Sequence, residues 1–200
     1  MGNIVWHRRD FRAYDNNALA SAGEDALPVF IFDPEWVENE VVSDARIEFV
    51  LQSLKDLNRQ YVEKGSHLTL LKGDPLDKLT ELQDQGHQIF FNRDSNHFRQ
   101  NMERKARDRF DGVHNSAVNT SGSRPENWKE RAQKWFNDEL IQPPEKITDN
   151  PIENETSLDQ IRQEYSLEPE KEEFGKGGTK KGRERLDKFL ERISGYSGCI

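Results

Sequence analysis

The chain has 200 residues, of which 33% are hydrophobic and 33% charged, with a formal net charge of −8 and one cysteine, Cys199. That length suits one α/β domain with an appendage, or two small domains. A single cysteine excludes an internal disulfide and any cysteine-based metal cluster. No apolar run approaches the ~20 residues that span a bilayer. The opening MGNIVWHRRD lacks the long apolar core of a signal peptide, and Trp6 stands where a myristoylation signal needs Ser or Thr. A soluble, cytoplasmic protein without a membrane partner is expected.

The chain opens with Asn3–His7, a short apolar and β-branched run. Asp15-Asn16 can cap a brief helix through Ala18-Leu19-Ala20. Leu27–Phe32 (LPVFIF) is apolar throughout, as expected of a strand covered on both faces. Ser43 can cap the longest helix, in which Ile47, Val50, Leu51, Leu54 and Leu57 recur at three- and four-residue spacing and which Gly65 ends. His67–Leu71 reads as a third strand, Pro75–Gln85 as a helix and Gln88–Phe91 as a fourth strand. Arg99–Phe110 is a charged helix and Gly112–Val118 a weak fifth strand. This alternation predicts an α/β fold with a doubly wound, five-stranded parallel sheet of Rossmann-like type. In such sheets ligands bind beyond the carboxyl ends of the strands. His7–Arg12, Asp33–Trp36, Gly73-Asp74-Pro75 and Asn92–Phe98 therefore form the expected functional rim.

After Pro125 the composition changes. Glu126–Leu140 can form a helix with Trp128, Ala132 and Trp135 on one side. Residues 138–173 carry a charge of −9, against about −3 for 1–137 and +4 for 174–200. With four prolines and little periodicity, 141–173 reads as an extended, solvated connector with room for a brief helix near Ser157–Tyr165. A last amphipathic helix begins at Gly178, with Leu186, Phe189, Leu190 and Ile193 on one face. The expected organisation is an α/β domain over 1–137, an acidic linker over 138–173 and one C-terminal helix within 174–200.

The first strand runs into His7-Arg8-Arg9-Asp10-Phe11-Arg12, without the glycines that let a backbone approach a pyrophosphate, so a close-packed NAD pyrophosphate is not expected. No Walker A sequence, G-x-S-x-G elbow or H-E-x-x-H occurs, and His7, His67, His87, His97 and His114 lack metal-ligand spacing, which fits strand-end or surface residues. Arg8, Arg9 and Arg12 beside Asp10 and Asp15 read two ways. They suit a site for an anionic or polar ring ligand, or a salt-bridge knot that pins the loop.

The stretch Val5-Trp6-His7-Arg8-Arg9-Asp10-Phe11-Arg12-Ala13-Tyr14-Asp15-Asn16-Asn17-Ala18-Leu19 closely resembles the V-W-F-R-R-D-L-R-x-x-D-N-x-A-L opening of the photolyase/cryptochrome family. Pro28–Pro34, Arg46–Leu54, Gly73-Asp74-Pro75 and Phe91–Asp94 are similar to further family elements in family order, and Gly177-Gly178 with Leu186, Phe189-Leu190 and Tyr196 is similar to the segment that begins the family's helical domain, so that 174–200 is expected to be the first helix of that domain. His7 replaces the usual Phe, Ser95–Phe98 stands where many members have Y-x-P-Y, and Met102-Glu103 where R-D is usual.

The resemblance implies an α/β domain of a light-driven DNA repair or blue-light-sensing protein, with a light-harvesting antenna (deazaflavin, folate or flavin) in or beside it. The family's activity is that of a deoxyribodipyrimidine photo-lyase, carried by a helical domain that binds FAD and docks DNA. The sequence has no counterpart of the T-S-x-L-S-P segment of that domain. The chain is therefore not expected to hold catalytic FAD or to be catalytic by itself, and the helical FAD-binding domain is expected on a separate chain, with DNA reached only indirectly. For an antenna the resemblance points to Arg8, Arg46, Asn92 and Asp94 as polar groups, in a crevice walled by Phe32 and Phe98. The four tryptophans read as core or interface residues, and Lys176–Arg185 as the start of a solvated helix. Two other readings are a free-standing interaction module that docks through its basic C-terminal helix, and a non-functional remnant.

Overall fold

The computed structural model describes residues 2–93, 100–110, 126–137, 139–149, 151–152, 156–167 and 176–194. Four strands, β1 (Asn3–His7), β2 (Ala26–Phe32), β3 (Thr69–Lys72) and β4 (Gln88–Phe90), form one parallel sheet in the order β3-β2-β1-β4. The expected fifth strand, Gly112–Val118, lies outside the described residues. β3 joins β2 only from Val29 onward, so the Pro28 end of β2, which lacks an N–H, has β1 as its neighbour.

Between β1 and β2 run α1 (Asn17–Ala22) and a single 3-10 turn, Gly23–Asp25; α2 (Pro34–Val37) and α3 (Asp44–Val62) follow β2. α4 (Pro75–Asp84) links β3 to β4, and α5 (Gln100–Arg109) follows. The caps are local and follow the sequence. The Asn16, Asp33 and Asp74 side chains each accept from a backbone N–H in the first turn of α1, α2 and α4.

Strand alternation splits the core into two layers. Val5, Phe30 and Phe32 face α1 and α3, packing on Ala18, Leu19, Leu51, Leu54, Leu57 and Tyr61. Ile4, Trp6, Val29 and Ile31 face the other way, onto Leu79 and Leu82 of α4 and Ala106 and Phe110 beyond. Both sheet faces are thus covered, which is why LPVFIF is apolar at every position.

The remaining helices are α6 (Trp128–Asn137), α7 (Leu158–Glu164) and α8 (Thr179–Ser194). The acidic connector departs from the solvated expectation: its described residues lie along the α/β unit. Ile147 and Ile161 are buried in the α3-side core. The N–H groups of Ile147, Thr148 and Thr156 donate to the carbonyls of Lys64, Glu24 and Leu70. Burying a side chain of this size contributes about 1.5–3 kcal/mol, enough for two isoleucines to hold an otherwise polar segment down. α7 starts in a capping box made by Ser157 and Gln160, where the sequence allowed a brief helix.

α8 is tied to α3 through its first turn. The N–H groups of Gly177, Gly178 and Thr179 donate to Gln52 Oε1, Ser53 Oγ and Asp56 Oδ2. A β-carbon at Gly177 would sit inside contact distance of the Phe49 carbonyl oxygen, so only glycine fits. Among the described residues no helix is long and apolar enough to cross a membrane.

Candidate functional site

The β1–α1 loop starts at His7, which is fully buried at the strand end. Its Nδ1 lies 3.0 Å from the Asp10 carbonyl, which can only accept, so the neutral ring carries its proton on Nδ1. Nε2 is then left to accept from the Tyr61 hydroxyl at 2.6 Å. Burial raises the Tyr61 phenol well above its ordinary pKa, and the nearby Asp10 charge adds to this. Burial also disfavours the charged form of Asp10. The His7 imidazole, the Arg8 backbone N–H and the Asn92 amide reverse that effect, holding the carboxyl well below the usual carboxylate range.

The sheet order reverses between β1 and β4, where a doubly wound fold opens its crevice. Here polar side chains fill that point. The Arg8 guanidinium pairs with the buried Glu103 of α5, donates to the Asn92 carbonyl, and lies over the rings of Trp6 and Phe91 at 4.7 and 5.1 Å. Asn92 Nδ2 donates to Asp10 Oδ2 at 2.6 Å and Asn16 Oδ1 at 2.9 Å, while its Oδ1 accepts from the Ala18 N–H. Both amide hydrogens of Asn92 are therefore used within the fold.

The expected salt-bridge knot is present in altered form. Arg12 pairs with Asp15 at 3.2 Å, but Arg8 reaches Glu103 instead of Asp10, whose carboxylate is taken by Asn92, Asn16 and the Arg8 backbone. A carboxylate 95 positions away could not be found from loop composition.

The open space lies one strand over. A cavity of about 310 Å³ sits at the carboxyl ends of β1 and β2, walled by Trp6, Phe11, Phe30, Trp36 and Phe49, with His7, Arg8, Arg9, Asp33 and Arg46 among its polar lining. Of the residues expected at a ligand, the structure brings Arg8 and Arg46 to this cavity and leaves Asn92 in the network beneath the loop. Phe32 is fully buried, with its ring 4.9 Å from that of Phe30, so Phe30 forms the wall where Phe32 was expected. Asp94 and Phe98 lie outside the described residues. Arg46 projects from the first turn of α3, exposed, and its guanidinium has no hydrogen bond or ion pair among the described residues. Trp36 joins the wall because the Asp33-Pro34 cap turns the chain into α2 immediately after β2. Its place two residues past that cap was the available signal.

A second cavity, about 360 Å³, lies between α4 and the connector. Its charged groups are satisfied internally: Lys72 pairs with Glu164, Lys78 with Glu81, and the His87 ring with the Gly2 backbone. Among the described residues no cluster of His, Cys, Asp and Glu could hold a metal.

Comparison with known proteins places the fold in a family. The DNA photolyase family profile matches residues 3–125. A deoxyribodipyrimidine photo-lyase of Synechococcus sp. is 32% identical over 149 residues, covering 72% of this chain and 28% of that protein. A (6-4)DNA photolyase of Arabidopsis thaliana is 37% identical over 86 residues, 37% of this chain and 16% of the relative. Among solved structures, an archaeal photolyase from Sulfolobus tokodaii with two FAD molecules superposes with a TM-score of 0.70 at 22% identity, over 93% of this chain and 46% of that one. A class III photolyase from Agrobacterium tumefaciens gives 0.68 at 21% identity, over 95% and 44%. The chain thus spans less than half the length of each of these proteins.

Proposed function

Because the chain belongs to the DNA photolyase family, we propose that it is the α/β unit of a light-driven DNA repair or blue-light-sensing system. Its own task in that system is to hold a flat light-harvesting chromophore in the β1–β2 cavity. One observation carries this reading. An aromatic-walled cavity at the sheet's carboxyl edge has at its rim the guanidinium of Arg46, which has no ion pair among the described residues. Its volume falls in the range of about 300–1,000 Å³ typical of small-molecule sites. Trp36, Phe30 and Phe49 offer faces for a conjugated ring, and Arg46 offers the planar fork that suits a phosphate or carboxylate. A phosphorylated flavin matches that pairing of ring and anion; a deazaflavin or a folate shares the ring. The Sulfolobus photolyase, with two FAD molecules and a proposed novel light-harvesting cofactor, supports the choice. When bound, such a group supplies absorption in the near-ultraviolet and blue. The protein's residues supply the stacking surface, the counter-charge and exclusion of water.

The test is an absorption spectrum after incubation with FMN, FAD, a deazaflavin and a folate, each followed by removal of free ligand. The expected result is retained absorbance with one class of chromophore. A charged hydrogen bond contributes about 1.5–3 kcal/mol, so Arg46→Ala should weaken binding roughly 10- to 100-fold. No retained chromophore, or affinity indifferent to both Arg46→Ala and Trp36→Ala, would sink the proposal.

A further inference from the structure

The Tyr61 hydroxyl and the His7 imidazole meet at 2.6 Å, both side chains fully buried, with their rings 5.6 Å apart and edge to face. Two phenylalanines would leave no polar group here to satisfy, so packing alone calls for neither the phenol nor the imidazole. The contact is also directional. The Asp10 carbonyl fixes the His7 proton on Nδ1, which leaves the Nε2 lone pair aimed at the Tyr61 O–H. Behind the imidazole stands the Asp10 carboxylate, with Oδ2 3.7 Å from Nδ1. The Asn92 and Asn16 amides and the Arg8 N–H donate to that carboxylate and favour its charged form. A hydroxyl, a base within hydrogen-bond reach and a third group that orients the base are the parts of an activated hydroxyl.

This hydroxyl is too deeply buried to attack a substrate, and burial together with the Asp10 charge keeps it protonated. What such a phenol can lose is an electron together with its proton. The proton moves to Nε2 along the existing hydrogen bond, and the imidazolium faces the Asp10 carboxylate, so no uncompensated charge is left in the buried site. His7 also borders the β1–β2 cavity, so a single side chain links Tyr61 to anything bound there. Trp6, on the same wall, is the poorer donor. The Arg8 guanidinium lies 4.7 Å over its ring and repels the positive charge that an oxidised indole carries.

We propose that Tyr61 is a redox-active tyrosine, with His7 as its proton acceptor, that supplies one electron to a light-excited, oxidised aromatic chromophore in the β1–β2 cavity. Tyr61 loses one electron to the excited ring and its O–H bond breaks; the proton joins the His7 Nε2 lone pair. A neutral tyrosyl radical and an imidazolium remain, and return of the electron and the proton restores both side chains. Light absorbed in this unit is then held briefly as separated charge on the protein's own residues. The oxidant rests on the chromophore reading of the cavity; the tyrosine–histidine pair does not.

Two arms test the pair and the oxidant separately. In the first, the full chain without chromophore is oxidised by a flash-excited ruthenium tris-bipyridine complex with persulfate, and radicals are followed by transient absorption and electron paramagnetic resonance. A tyrosyl signal should appear that Tyr61→Phe removes. His7→Gln keeps an acceptor for the Tyr61 hydroxyl but supplies no base. It should slow formation of the radical roughly 100-fold or more, as loss of a general base does. Formation should also be slower in deuterium oxide, which a purely structural hydrogen bond would not cause. The absence of a Tyr61-dependent signal, or its equally fast formation in His7→Gln, overturns the proposal. In the second arm, the chain with retained FMN is illuminated without ruthenium, and the same Tyr61-dependent signal is expected. An indole radical that Trp36→Phe removes, in place of the tyrosyl signal, overturns the path from the cavity. If no chromophore is retained, the cavity reading fails while the first arm still decides the tyrosine.

Discussion

At position 7 a phenylalanine, larger than the imidazole by one ring atom, would leave the Tyr61 hydroxyl without its acceptor in a fully buried site. An unsatisfied buried polar group costs about 1–3 kcal/mol. His7→Phe is expected to lose that much in urea unfolding, and His7→Phe with Tyr61→Phe to regain most of it, a coupling that a double-mutant cycle reads directly. The same network sets the response to pH. Asp10 has a depressed pKa in the folded chain, so its contribution is complete above ~3.9 and is lost as pH falls toward the lower folded value. Asp10→Asn should therefore flatten the dependence of thermal stability on pH below about 4. Tyr61 has the opposite sense: its raised pKa gives stability that is present below ~10 and lost as pH climbs past it, and Tyr61→Phe should remove that alkaline loss. The sequence placed His7 at a strand end, which is where it lies. It could not show burial, because a histidine beside three arginines looks solvated until Tyr61, 54 positions away, is folded against it. The family resemblance pointed to Arg8 and Arg46, and both line the cavity. Phe30 and Phe32 were harder to separate, because residues two apart on a strand share a face and α2 and α3 decide which stays open.

The elements were mostly readable, since hydrophobic period and caps are local signals. β1, the core of β2, the long helix and α4 begin and end within a few residues of their sequence limits. The connector was not readable in the same way. Its dense acidity and prolines mask Ile147 and Ile161, which lie too far apart to form a pattern and find their partners on α3 and beside β3. Ile161→Ala should cost about 2–5 kcal/mol in denaturant unfolding, as large-to-small core changes do, whereas a residue of a solvated linker would cost nothing measurable. The attachment of α8 was similarly hidden. Gly177-Gly178 marks a helix start, but the need for Gly177 itself comes from the Phe49 carbonyl across the interface. Gly177→Ala is expected to detach the first turn of α8 from α3, seen as faster amide exchange at Gly178 and Thr179 while the β1 and β2 amides stay protected.

For the whole molecule, the strand order is that of a doubly wound sheet, yet the crevice such a sheet opens at its reversal is occupied by Arg8, Glu103, Asn92 and Asp10. Space is left instead over β1 and β2, beside the N-terminus of α3. Sequence could predict the rim, since rim residues follow strand ends, but not which part of it closes, because closure depends on a carboxylate from α5. α3 then relates the parts to one another. At one end it carries Arg46 at the cavity rim; in its middle Gln52, Ser53 and Asp56 grip the start of α8; near its far end Tyr61 seats the loop through His7. With 19 residues at ~1.5 Å each it is a shaft about 28 Å long. A helix buried along one side moves as a body, so tilting it at the cavity swings its grip on α8 as well. The cavity end of the molecule and its C-terminal helix are geared to a single axle.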